Sequence, residues 1–273
     1  MNRILPGLLC VLLSAMLHAE PAPLRVMLLS GAGNHNWRET TPELCKILQE
    51  TGRFQVDVIE DVPSVSADSF ANYDVILSNY NTFNDRKPAD AVWKAEVRAA
   101  FLAHIRAGHG FVVVHAGSSV FYDWPEFQQL AATSWTLGKT SHGERHAALV
   151  TFGKADHAIT RGLEPFWTFD EFWENAVVQP GAETLALVTP DPQFKGSGKA
   201  ESIMFATHFG EGRGFTLLLG HNVTSMKNTA FRTLLQRGTE WAATGRVTLA
   251  PATPWPESKD AVMPAEAPAT PRN

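Results

Sequence analysis

From Leu24 onward, short and mainly apolar runs alternate with longer stretches whose apolar residues recur at helical spacing. Leu24 to Leu29 reads as a first buried strand, followed by a polar, glycine-rich loop from Ser30 to Trp37, SGAGNHNW. Thr41 followed by Pro42 predicts a helix start, and Gly52 its end. Phe54 to Ile59 and Tyr73 to Ser78 read as the next two strands. A long amphipathic helix is expected from about Ala89 to Ala107, with Val97, Phe101, Leu102 and Ile105 on its apolar face and Gly108 as its stop. Gly110 then opens GFVVVHAGSSVFYDW, in which Phe111 to Val114 is a buried strand, His115 stands at its carboxyl end, and Ala116 to Ser119 are small enough for a sharp turn. Asp123 with Pro125 predicts another helix start.

Strand, helix, strand, helix, strand predicts an α/β chain: a flavodoxin-like, doubly wound, mainly parallel sheet flanked by helices, with right-handed crossovers. Ala147 to Phe152, Thr184 to Val188, Ile203 to Ala206 and Phe215 to Leu219 are shorter strands set close together, so an antiparallel edge extension is expected. Thr229 to Ala243 closes the fold as a helix stopped at Gly245. The resulting division is a signal peptide at 1–19, one α/β domain at 24–246 and a disordered Pro/Ala-rich tail at 251–273. The signal rests on Arg3, the apolar run Ile4 to Leu17 and Ala19 as a cleavage position, and it predicts a periplasmic or secreted protein.

Composition narrows the partners. With 273 residues, 44% hydrophobic and 19% charged, the chain is an ordinary globular protein, and a net charge of −5 without any Lys/Arg-dense run argues against nucleic acid or an anionic membrane once the signal is cut. A small neutral ligand fits better. Cys45 is the one cysteine left after cleavage, which excludes an intramolecular disulfide.

Candidate chemistry collects at strand ends, where open α/β sheets bind ligands. His35, Asn36 and Trp37 follow the first strand, Asn79 and Asn81 the third, His115 the central one and His221 the last. Imidazoles there can transfer protons or ligate a divalent ion, and a metal on His115 and His142 is a candidate. A strand-capping role for His115 stands beside these, and His146 and His208 read as surface histidines. In FDEFW, Glu171 sits among aromatics that can raise a carboxyl pKa, making it a candidate acid or base. Trp37, Trp124, Trp135, Trp167 and Trp173 are flat surfaces suited to sugar faces, with core packing as the alternative; Trp37 and Trp124 are taken to hold the sugar.

The segments GNHNW, VVVHAGSSVFYDWPEF, SHG, DHAITRGLEPFWTFDEFW, GRGFTLLLGH and FRTLLQRGTEWAA together resemble the ThuA-like family, named for trehalose utilisation, from about Leu24 to Thr244. The resemblance implies a class I glutamine amidotransferase-like sandwich and a role in catabolism of disaccharides and their 3-keto derivatives. Related amidotransferases carry a cysteine at the elbow and a later His-x-Glu pair. This chain has neither, only His115 near the elbow and His221-Asn222-Val223, and Cys45 falls in a predicted helix, so glutamine hydrolysis is excluded. The expectation is an exported hydrolase, lyase or isomerase of a disaccharide or 3-keto-glycoside. His115, Glu171, His142 and His221 would be catalytic, and His35, Asn36, Trp37, Asn79 and Trp124 would hold the substrate. The alternative is a non-catalytic sugar-binding or accessory protein. Substrate, metal and oligomeric state stay open.

Overall fold

The computed structural model describes residues 22–153 and 156–264; the expected signal peptide at 1–19 lies outside them. In chain order the regular elements are β1 (Leu24–Leu29), α1 (Trp37–Gln49), β2 (Phe54–Ile59), β3 (Val75–Ser78), α2 (Ala89–Val92), α3 (Ala95–Arg106), β4 (Gly110–Val114) and α4 (Pro125–Leu130). Then come β5 (Ser141–His142), β6 (His146–Phe152), β7 (Phe166–Asp170), β8 (Trp173–Glu174), β9 (Glu183–Val188), β10 (Glu201–Phe209), β11 (Gly212–Leu217), α5 (Val223–Met226) and α6 (Thr229–Thr244).

The main sheet runs β2-β1-β3-β4-β11-β10-β9-β6-β7. Its first five strands pair in parallel, in the flavodoxin-type order with a switch point between β1 and β3. The strands from β10 to β7 pair antiparallel, as the close-set short runs predict. Continuous apolar strands bury both faces. Val26 and Leu28 pack on α1 and α6 through Leu44, Ile47, Phe231 and Leu234. Met27 and Leu29 point the other way, with Ile76 and Phe111, toward Phe101, Ile105 and Phe127. Among the described residues no helix is long and apolar enough to cross a membrane.

Four local expectations change. The first helix starts at Trp37, not after Thr41, because the Asn36 carbonyl already accepts from Glu39 and Thr40; Pro42 therefore lies inside α1. The long helix expected over 89–107 breaks where Trp93 turns extended and buries its ring against Phe70, Phe101 and Phe121. Asp123 does not cap α4; its carboxylate accepts from the Ala89 N–H, and Trp124 is the N-cap. Over 251–264 the expected disordered tail instead follows β7: the Trp167 N–H donates to the Pro256 carbonyl, and the Trp255 ring meets Phe166.

Two predictions arise from packing. Gly238 sits inside α6, where alanine ordinarily gains about 1 kcal/mol in helix propensity. Here a Cβ would stand 2.1 Å from Cε1 of the buried Phe215. Overpacking costs about 1–3 kcal/mol and wins, so Gly238→Ala is expected to lower the urea midpoint. The second concerns His104 of α3, which stacks on His109 at 3.8 Å between ring centroids. Burial first, and then the neighbouring His109, push its pKa down to about 4. Between pH 6.5 and about 4 the unfolded chain takes a proton that folded His104 refuses, so this residue makes stability fall as pH falls. Unfolding titrations across that window are expected to show a shallower acid loss in His104→Gln than in the parent.

Candidate functional site

Four strand ends of the parallel half place their loops together at the carboxyl edge of the sheet: β1 leads to His35, β3 to Phe83, β4 to His115 and β11 to His221. The loops are tied to one another. Thr82 N–H donates to the Ser119 carbonyl, and Ser78 Oγ donates to the Gly117 carbonyl at 2.7 Å. Gly117 is required at this elbow, since a Cβ would stand 2.0 Å from the Ser78 carbonyl oxygen. His115 itself holds a left-handed backbone, φ 46°, of the kind that collects at functional sites.

Its ring is buried. Nδ1 lies 2.7 Å from the Leu218 carbonyl, which can only accept, so Nδ1 carries the proton and the lone pair of neutral His115 is on Nε2. Around that atom stand His35 Nε2 at 3.2 Å, His221 Nδ1 at 3.3 Å and Glu171 Oε1 at 3.5 Å. Glu171 Oε2 reaches His221 Nδ1 at 3.3 Å and His142 Nδ1 at 3.6 Å. Behind them Asp170 is fully buried: Oδ2 accepts from Gly220 N–H at 2.6 Å, and Oδ1 accepts from Glu171 N–H at 2.9 Å and His221 N–H at 3.1 Å. One side chain thus sets the backbone of two site residues.

The charges are unequal. Burial penalises the charged form of Glu171, but hydrogen bonds from His115 and His221 outweigh it and hold the carboxyl well below the usual range. Burial likewise opposes charge on His115, and Glu171 more than compensates, raising its pKa. Burial, then His115 and His221, lower His35 to about 3, so it is neutral at neutral pH. Burial raises Asp170 against the pull of His115 and its N–H donors. The centre therefore pairs an ionised carboxylate with imidazoles that cannot all be charged.

A cavity of about 280 Å³ opens beside it. His35, Glu171, His142 and His221 give it one polar wall, with Asn34 and Ser119; Phe83, Trp135 and Trp173 give it an aromatic one. Trp135 stands edge-on to Trp173, with ring centroids 5.2 Å apart, and meets Phe83 at 6.0 Å. The two-stranded pairing of β5 with β8 sets His142 opposite Trp173.

His115, Glu171, His142, His221 and His35 thus come together as expected. Asn36, Trp37, Asn79 and Trp124 do not line this cavity. Asn36 is exposed outside it, and Trp37 opens α1 with Arg38 over its ring. Asn79 donates to the Thr40 and Thr41 hydroxyls, and Trp124 is buried against Trp93, Phe121 and Phe127. His146 is a buried structural residue rather than a surface one: its Nδ1 donates to the Glu144 carbonyl, its Nε2 accepts from Asp191 N–H, and it stacks on Phe194. Among the described residues the ligand atoms grouped within 4.8 Å are those of His35, His115, Glu171 and His221, so His35 stands where His142 was expected as a metal ligand. Sequence reasoning missed Asn34, Phe83 and Ser119. The asparagine in GNHNW was the available signal.

The sequence model of the family described as ThuA, trehalose utilisation, matches residues 25–242. No curated protein matches the chain. Among solved structures, a ThuA-like protein from Parabacteroides merdae ATCC 43184 is 28% identical with a TM-score of 0.74, over 88% of this chain and 99% of that one. A ThuA-like protein from Bacteroides uniformis ATCC 8492 shares the fold at 18% identity and a TM-score of 0.59, over 82% and 93% of the two chains. A β-galactosidase from Rahnella sp. R3 contains the same fold at 17% identity and a TM-score of 0.51, over 80% of this chain and 32% of that one. The chain belongs to the ThuA, trehalose utilisation, family, and the matched stretch contains His115 and all three of the side chains that converge on its Nε2.

Proposed function

We propose that this chain is an exported enzyme of carbohydrate catabolism that acts on a 3-keto disaccharide or related keto-glycoside. The observation that carries the reading is the His35–His115–His221–Glu171 centre forming one wall of a cavity whose other wall is aromatic. At about 280 Å³ the cavity lies just under the ~300–1,000 Å³ of typical small-molecule sites, a size for one sugar ring with the second ring at the mouth. The apolar faces of a pyranose pack on rings such as Trp135, while its hydroxyls meet Asn34, Ser119 and His142.

A ketone at C3 acidifies the neighbouring C–H. Its removal needs a group that polarises the carbonyl oxygen and a base on the adjacent carbon. The imidazole cluster is the polarising focus. His142, with a side chain 44% exposed and 3.6 Å from Glu171, carries the proton between cavity and solvent. The same enol intermediate leads to elimination, hydration or isomerisation. The N-terminal apolar run with its Ala19 cleavage position supports export.

The test is incubation with a 3-keto disaccharide and, separately, with its unoxidised parent. The keto sugar is expected to be consumed with a new product while the parent is not. Tight binding of the keto sugar without product would replace the enzyme with a sugar-binding accessory protein.

A further inference from the structure

We propose that His35 Nε2, His115 Nε2, His221 Nδ1 and one oxygen of Glu171 form a site for a single divalent transition-metal ion, with Zn²⁺ the best match. The proposal deepens the functional reading at the same site, supplying the polarising group that reading needs.

The first argument is one of lone pairs. His115 gives its Nδ1 proton to Leu218, and His35 Nδ1 lies 3.1 Å from Asn34 Oδ1, an acceptor. In their neutral forms both rings would therefore turn unprotonated Nε2 atoms toward each other at 3.2 Å. Two lone pairs at that distance repel unless a cation lies between them. An added proton satisfies one line of contact, but four groups converge here, one of them a carboxylate, and all four ligand atoms lie within 4.8 Å of one another.

The second argument is geometric. A tetrahedral ion with bonds of about 2.0–2.1 Å holds its ligand atoms about 3.3–3.4 Å apart. Four of the six pairs approach this, 3.2 Å between His35 and His115, 3.3 Å between His115 and His221, 3.5 Å between His115 and Glu171 and 3.3 Å between His221 and Glu171, and every pair lies within 4.8 Å. Three imidazoles and one carboxylate are a donor set for a borderline ion rather than for Ca²⁺ or Mg²⁺.

The third argument is support from behind. Metal-bound histidines characteristically donate their other N–H to a carbonyl, as His115 does to Leu218. Asp170 fixes the backbone of both Glu171 and His221. His35, Glu171 and His221 also line the cavity, so the ion would face it, where a keto or hydroxyl oxygen can join as a further ligand.

The experiment strips the full chain with a chelator, reloads it with Zn²⁺ or Co²⁺ and measures bound metal after desalting. About one ion per chain is expected, with the strong visible absorption of four- or five-coordinate cobalt. His35→Ala and His115→Asn are expected to lose the metal, and His142→Ala to retain it. His35 stands half-buried in a loop outside the sheet, so its variant keeps the fold, which circular dichroism checks independently. Background metal in the parent, or equal loading in His35→Ala and the parent, would overturn the site. Metal is read without any sugar, so the two readings fail separately. A loaded chain inert toward keto sugars keeps the metal and loses the function. A chain that loads no metal yet turns over the keto sugar does the reverse.

Discussion

His115→Ala is expected to lower turnover of a 3-keto disaccharide by about 10²–10³-fold, the range for removing one group that stabilises charge on the reacting oxygen. His115 is the one side chain of the centre whose ring atom contacts His35, His221 and Glu171 together, so no neighbour can replace it. The fold should survive, for reasons of magnitude. Alanine at φ 46° costs roughly 1–2 kcal/mol, and the Leu218 carbonyl left without its donor roughly 1–3. Both fall within the ~5–15 kcal/mol by which domains are stable. His115→Asn separates backbone from chemistry, because asparagine tolerates the left-handed region. If Asn restores stability but not turnover, the loss belongs to the imidazole. Full activity in the alanine variant would remove His115 from the mechanism.

What could be read from the amino acids follows the range over which each signal acts. The parallel half of the sheet was legible because Leu24–Leu29 and Phe111–Val114 are mainly apolar runs and Phe54–Ile59 alternates apolar with polar residues, each bounded by glycine or polar loops. The convergence of His35, His115 and His221 was legible for the same reason: all three follow strands whose carboxyl ends share one edge. Side-chain direction was not. Asn79 turns to Thr40 and Thr41 because α1 begins earlier than Pro42 suggested. Trp124 belongs to an aromatic cluster assembled from α2, α3 and α4, and local sequence says nothing of that cluster. His35 rather than His142 falls into the tight group with His115 because such groups are a matter of distances between loops, and no residue spacing encodes them. The aromatic cavity wall likewise needs the loop of Phe83 laid against Trp135.

Asp170→Ala is expected to have the largest effect on stability, and to take the site with it. The side chain has no solvent exposure, and it accepts from three backbone N–H groups, those of Glu171, Gly220 and His221. Truncation leaves all three unpaired inside the protein, at about 1–3 kcal/mol each before relaxation. A net loss of about 3–5 kcal/mol matches what is seen when one partner of a buried polar cluster is removed. For a chain of this size that lowers Tm by roughly 6–20 °C. The damage is directional, because the freed backbone carries Glu171 and His221, two of the three groups around His115 Nε2. Turnover should therefore fall even at temperatures where Asp170→Ala is still fully folded. Asp170→Asn sharpens the point. One amide oxygen can still accept from Glu171 and His221, but the –NH₂ then faces the Gly220 N–H at a 2.6 Å separation, so that strand end must shift. Thermal unfolding and turnover measured side by side decide the matter. A variant that melts early but, while folded, turns over at the parent rate would show Asp170 to be a support for β7 and not for the site.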